Sequence, residues 1–238
     1  MKKLIIASTS TLHGGSYLDY LLPTLAHFFQ DCSTVLFIPY ARPGGITHDE
    51  YTDKVRVAFA QLGKEVRGLH EFEHPKQAIQ AAQAIFTGGG NTFLLVSQLY
   101  KFDVMAVLAN QIKAGTPYLG TSAGSNITGL TMQTTNDMPI VYPPSFQTLG
   151  MIPFNLNPHY LDPDLQSKHM GETRETRIKE FHSFNSVPVL GLREGSWLEV
   201  LGDTITLKGS LSARLFRAGQ EPEELTPESD LSFRTRLG

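Results

Sequence analysis

The chain has 238 residues, of which 41% are hydrophobic and 18% charged, with a formal net charge of −3 and one cysteine. That balance suits a globular protein with a sizeable core and excludes the basic footprint of a nucleic-acid binder or of a protein drawn to anionic membranes. A lone cysteine, Cys32, rules out an intrachain disulfide framework. No apolar run reaches transmembrane length, and residues 4–7 are too short for a signal segment, so a cytoplasmic protein is expected.

Residues 4–7 read as a first strand, followed by a loop over 8–15. Tyr17, Leu18, Leu21, Leu22, Leu25, Phe28 and Phe29 then recur at helical spacing. Residues 35–38 form a second strand, stopped by Pro39. Thr47, with Glu50 three residues on, predicts a capping box for a helix reaching about Leu62, where Gly63 ends it. Strands follow at 65–69 and 84–87, with a short helix over 78–82 between them. Helices over 91–100 and 104–114 precede the strand that leads to Ser122. The rhythm predicts an α/β fold, a mostly parallel sheet with helices on both faces, and a ligand crevice at the carboxyl ends of its strands.

After Asn126 the rhythm breaks. Residues 131–158 carry no helical period and read as loops and short strands, 173–184 as a helix, and 189–192 as a strand. The runs 197–201, 204–208 and 215–217 predict an antiparallel meander as a C-terminal extension, with Gly202-Asp203 as a tight turn. The acidic tail over 220–230, with its two prolines, reads as a solvated loop. No linker or repeat divides the chain, so 1–238 is expected to be one domain.

The stretch Gly120-Thr121-Ser122-Ala123-Gly124 is Gly-x-Ser-x-Gly between a strand and a helix. In that setting the serine sits at the apex of a sharp turn, and side chains two before and two after it would collide across the bend. The turn lifts the Ser122 hydroxyl clear and aims the following N–H groups at one point, where an oxyanion could form. The same stretch would also suit a plain βα turn in which Ser122 caps a helix. Gly88-Gly89-Gly90-Asn91 follows a strand and opens a helix; it could cradle a phosphate, supply N–H groups to an oxyanion, or simply turn. A serine needs a base, and Asn157-Pro158-His159 offers the best-held histidine, since Pro158 stiffens the backbone just before it. His70-Glu71-Phe72-Glu73-His74 matches a zinc-binding pattern, but Pro75 biases His74 away from the helix that pattern requires, so no metal site is expected.

The stretches 88–92, 120–126 and 155–159, with Thr134-Thr135-Asn136-Asp137-Met138-Pro139-Ile140-Val141 and Gly171-Glu172-Thr173-Arg174-Glu175, stand in an order that resembles the peptidase E family of α-aspartyl dipeptidases. The resemblance runs from the first strand to about Trp197 and implies a serine peptidase on a fold like the class I glutamine amidotransferases, a flavodoxin-like architecture. It further implies cleavage of dipeptides with an N-terminal aspartate, in the cytoplasm, without metal or cofactor. Carried onto this chain, Ser122 matches the nucleophile, His159 the base, Asp137 the acid usually assigned to the relay and Glu194 a second acid proposed for it. Arg174 matches a residue linked to the substrate's acidic side chain. Ala123 and either Gly89 or Gly90 would donate N–H groups to the oxyanion. Asp137 and Glu194 both stay open as the orienting acid, with Glu194 favoured because the strand before it should open onto the same crevice. Serine at the elbow, where the amidotransferases carry cysteine, argues against glutamine hydrolysis. Two alternatives remain: a cyanophycinase-like β-aspartyl peptidase, and a non-catalytic module that binds an anion at the glycine loop. Neither a membrane nor a nucleic acid is expected as partner, and monomer and homodimer are both compatible with the sequence.

Overall fold

The structure, a computed structural model, describes residues 1–163 and 171–232. An interior strand of its larger sheet is β1 (Lys3–Ala7), whose alternate residues face opposite ways. Leu4 and Ile6 join one buried cluster, and Ile5 and Ala7 join another on the far side. Five strands lie parallel beside one another in the order β3 (Glu65–Gly68), β2 (Thr34–Ile38), β4 (Ile85–Thr87), β5 (Tyr118–Thr121), β1. All residues of β4 and β5 are buried, as expected of central strands covered on both faces. The helices α1 (Leu22–Phe28) and α2 (His48–Ala60) cover one face through Leu25, Val55 and Phe59. On the other face lie α3 (Pro75–Gln80), α4 (Thr92–Lys101) and α5 (Met105–Ala114), contributing Ile79, Leu95, Leu99, Leu108 and Ile112.

Local signals were honoured where they acted alone. Thr47 and Glu50 form the capping box at the start of α2, with the Glu50 N–H donating to Thr47 Oγ1 (3.1 Å) and the Thr47 N–H donating to Glu50 (2.7 Å). The helical run from Tyr17 is interrupted instead: Leu18 takes a left-handed φ of 61°, a short 3-10 turn follows, and α1 itself keeps only seven residues, with Pro23 in its first turn.

The expected C-terminal meander is corrected, because its strands divide between two sheets. β8 (Ser196–Leu201) and β9 (Thr204–Gly209) form a hairpin that extends the first sheet antiparallel to β1. Gly202 turns that hairpin at a φ of 63°, which glycine adopts without a Cβ penalty. β10 (Ala213–Phe216) leaves it and pairs with β7 (Val189–Leu192) in a second sheet, ordered β11 (Glu223–Leu225), β10, β7, β6 (Asn155–Pro158). The tail is likewise no solvated loop: β11 edges that sheet, and Leu225 and Leu231 are buried against the core. Within the second sheet β6 and β7 run parallel, so residues following both leave from the same edge.

Candidate active site

The carboxyl ends of five strands supply the site. Gly88-Gly89-Gly90 follows β4, Ser122 follows β5, Ser8 follows β1, His159 follows β6, and Glu194 comes two residues after β7. Ser122 stands between β5 and α6 (Ala123–Asn126) at φ 54° and ψ −112°, a conformation that costs about 1–3 kcal/mol and persists only where its surroundings enforce it. Two glycines permit the bend. A Cβ on Gly120 would lie 2.4 Å from the Gly124 carbonyl oxygen, and one on Gly124 would lie 2.1 Å from that of Thr87.

Ser122 Oγ lies 2.8 Å from His159 Nε2, and His159 Nδ1 lies 2.6 Å from Glu194 Oε1. An ionised carboxylate only accepts, so Nδ1 carries the proton it donates to Glu194, and in the neutral ring Nε2 is left to accept from the Ser122 hydroxyl. That is the tautomer a general base requires. His159 itself takes a φ of 55°, a second strained residue beside the first.

Asp137 stands apart from this chain of bonds. Its Oδ2 accepts from the Thr92 N–H (2.7 Å), from Thr92 Oγ1 (2.6 Å) and from Thr135 Oγ1 (3.0 Å), which binds it to the first turn of α4. Neighbouring Asn136 donates to the Pro158 carbonyl (2.7 Å), so the Asp137 loop is tied to the strand end that bears His159.

The glycine loop packs directly on the serine. A Cβ on Gly89 would come within 2.8 Å of the Ser122 Cβ, and the Gly89 carbonyl is turned away to accept from the Tyr51 hydroxyl (3.2 Å). Ala123 is the first residue of α6, where an N–H has no carbonyl one turn back to bond.

Arg174 is the first residue of α7 (Arg174–His182), behind the N-cap Thr173. Burial, then the nearby Arg177, lower its guanidinium pKa from the ordinary value, while the charge of Asp137 opposes them. Its neighbours on the helix are paired, Lys179 with Glu175 at 2.8 Å and Arg177 with Glu172 at 3.8 Å, but Arg174 has no hydrogen-bond or ion-pair partner among the described residues. Lys168, His169 and Met170, read from sequence as part of the same cationic cluster, lie outside the described residues.

The His-Glu-x-x-His stretch does not lie on one helix. His70 sits on a 3-10 turn with Nε2 2.8 Å from Asp49, whereas His74 precedes α3 at φ −118° and ψ 81°. Among the described residues no group of three or more His, Cys, Asp or Glu side chains is arranged to hold a metal ion. Cys32 is free and buried, with its thiol against the Gln83 carbonyl.

Three residues at the site carry no motif and were not singled out from the sequence: Ser8, Tyr51 and Arg193. Arg193 precedes Glu194 and grips Asp162 through Nε (2.8 Å) and Nη2 (2.7 Å), while Nη1 donates to the Ser212 carbonyl (2.8 Å) and to Glu224 (2.5 Å). A charged side chain at the end of a buried strand was the available signal.

The model of peptidase family S51 matches residues 4–208. This chain belongs to that family. Among its relatives, a Streptomyces coelicolor protein named Peptidase E is 51% identical over 229 residues, 96% of this chain and 93% of its own length. A Drosophila melanogaster protein named "Probable alpha-aspartyl dipeptidase" is 46% identical over 98% of this chain and 97% of its own. Among solved structures, that of a peptidase from an acI-B1 Actinobacterium matches the fold with a TM-score of 0.73 at 17% identity, covering 97% of this chain and 96% of that one. No single helix among the described residues of this S51 chain is long and apolar enough to cross a membrane.

Proposed function

We propose that this protein is a serine dipeptidase that hydrolyses dipeptides with an N-terminal aspartate through a Ser122-His159-Glu194 relay. The observation that carries the reading is the unbroken chain of hydrogen bonds from Ser122 Oγ through both ring nitrogens of His159 to Glu194. Membership of family S51, with one relative named "Probable alpha-aspartyl dipeptidase", supports the substrate class.

In this reading His159 Nε2 takes the proton as Ser122 Oγ attacks the scissile carbonyl, and Glu194 stabilises the imidazolium that results. The N–H of Ala123 and one from Gly89 or Gly90 bond the oxyanion, on the side of the glycine loop that Tyr51 does not hold. His159 returns the proton to the leaving amine, and water then releases aspartate from Ser122 by the same route in reverse. Arg174 receives the substrate's β-carboxylate. Among the described residues it makes no hydrogen bond or ion pair, which supports this role, since a half-buried guanidinium is completed by an incoming carboxylate in a way lysine cannot copy. With a net charge of −3 on the whole chain, attraction of an anionic substrate has to be local.

Asp137 is assigned to support rather than to the relay, because its bonds go to Thr92 and Thr135. The relay draws its members from both sheets, which supports treating residues 1–238 as one domain. A free cysteine and a small charged substrate favour the cytoplasm, with a monomer or homodimer acting alone on its dipeptide.

The test is a panel of Asp-Leu, β-Asp-Leu and Ala-Leu. Asp-Leu should be cleaved fast and Ala-Leu poorly but measurably; preference for the β-linked peptide would move the protein to the cyanophycinase-like reading, and no cleavage of any would favour an anion-binding module. Arg174→Met should lower kcat/KM for Asp-Leu by about 2–4 kcal/mol, the range for truncating one partner of a buried charge pair, and leave Ala-Leu nearly unchanged. Equal losses on both would remove Arg174 from the specificity pocket.

A further inference from the structure

The relay has an awkward feature: its nucleophile belongs to one sheet and its base and acid to the other. Ser122 follows β5 in the first sheet, whereas His159 and Glu194 follow β6 and β7 in the second. A hydrogen bond of 2.8 Å across such a joint requires the two sheets to be held in register to a few tenths of an ångström. One dipeptide stands where that register is set. Ala7 ends β1, next to β5, and Ser8 follows it.

The Ala7 carbonyl points to the nucleophile's side, accepting from the Ser122 N–H (3.2 Å) and from Ser125 Oγ (2.6 Å). The Ser8 side chain points to the other side. Its hydroxyl donates to the Leu192 carbonyl (2.7 Å), two residues before Glu194, and accepts from the His159 N–H (2.9 Å). Ser8 has no solvent exposure, and its own N–H is fixed on the Ser196 carbonyl (3.1 Å), so the hydroxyl has little freedom. His159 needs such a restraint. Its left-handed backbone is one that a residue with a Cβ leaves unless it is held, and the Ser8 hydroxyl is what its N–H bonds. Other ties between the sheets, such as Asn126 Nδ2 donating to the Leu156 carbonyl (2.8 Å), hold β6 three residues short of His159.

We propose that Ser8 is a positioning residue: its buried hydroxyl bridges the peptide of His159 to the strand end that carries Glu194 and sets both against Ser122. The inference rests on the serine relay proposed above, but not on its preference for aspartate. Ser8 touches no substrate and moves no proton. Its contribution is to the geometry from which His159 acts.

The test separates the relay from its positioning by using a fluorophosphonate, which labels an activated serine whatever the peptide specificity. Ser8→Ala should label at Ser122 roughly 100-fold more slowly than wild type, the loss typical of a displacement of about an ångström. The kcat for Asp-Leu should fall in parallel, with KM within about twofold and a melting temperature lowered by no more than about 10 °C. Combined with Glu194→Gln, the double variant should lose less than the product of the two single losses, because both act on the same imidazole. Labelling of folded Ser8→Ala within about threefold of wild type, a loss carried by KM, or multiplicative losses in the double variant would each overturn the proposal. Ser8→Cys, close in volume and weaker in hydrogen bonding, takes the same measurements if alanine leaves the chain unfolded; if both variants unfold, Ser8 belongs to the fold and the proposal fails. A wild-type protein that is not labelled at Ser122 would overturn the relay and this inference with it, whereas a labelled wild type beside an equally reactive Ser8→Ala overturns the inference alone.

Discussion

Replacing Glu194 by glutamine tests which carboxylate serves the relay. The change keeps the shape of the side chain and removes its charge, so what is lost is the charge-assisted bond to His159 Nδ1, 2.6 Å long. Such a bond contributes about 1.5–3 kcal/mol. The side chains of His159 and Glu194 are 35% and 45% exposed, so water screens the pair and can take the place of the carboxylate, which favours the lower half of that range. At about 1.4 kcal/mol per factor of ten, Glu194→Gln should therefore lower kcat roughly 10- to 40-fold. In a buried triad the corresponding acid-to-amide change costs about 10⁴, because the amide fixes the wrong tautomer in a site that water cannot enter. The half-open Glu194 should fall well short of that. Release of leucine from Asp-Leu measures kcat, and the rate of Ser122 labelling by a fluorophosphonate measures the relay without substrate recognition. Asp137→Asn is the companion: its effect should fall on substrate handling near Arg174 and on the start of α4, about 1 kcal/mol in stability, and leave the labelling rate close to wild type. Full labelling in Glu194→Gln beside a dead Asp137→Asn would refute the assignment.

Ser122→Ala should abolish hydrolysis, a loss on the order of 10⁴ to 10⁶ in kcat, and substantial activity in the folded variant would end the serine mechanism. Chelators should leave kcat unchanged, since every group the relay uses is a side chain or a backbone N–H; loss of activity restored by zinc would reopen the His70 and His74 stretch. Arg193→Lys keeps one charge but not the two-pronged grip on Asp162 or the bonds to Ser212 and Glu224, and should lower the melting temperature by about 5–10 °C. Arg193 holds the Asp162 carboxyl below its usual range, so this contribution is present above the unfolded-state value and fades as pH falls below about 4. The gap between wild type and variant in thermal melts should narrow there; a gap that stays constant down to pH 2 would remove Asp162 from the account.

The parts of this protein legible from sequence are those decided within a few residues. The elbow at Ser122 is one: glycines at 120 and 124, required because the backbone passes within contact of itself, mark the turn whatever the rest of the chain does. The capping box at Thr47 is another. What could not be read was decided by distance. The pattern of 197–217 is that of strands in a row, and nothing local says that β10 abandons β9 for β7, because pairing depends on which edge is free after the first sheet has formed. The acidic tail hides Leu225 and Leu231, two buried side chains whose partners lie in strands formed earlier in the chain.

The acid of the proposed relay is the sharpest case. Asp137 lies 15 positions after Ser122 and Glu194 lies 72 after it, yet separation along the chain carries no weight, because the choice is made by which strands end side by side. Once β6 pairs parallel with β7, the residues that follow them, His159 and Glu194, must emerge at one edge; Asp137, on a connecting loop, is drawn instead to the N–H and hydroxyl of Thr92. The proposed nucleophile, made by a local turn, and the proposed base–acid pair, made by a distant strand pairing, need something to join them. That joint falls just past β1, the strand that borders β5, where Ser8 reaches both His159 and Leu192.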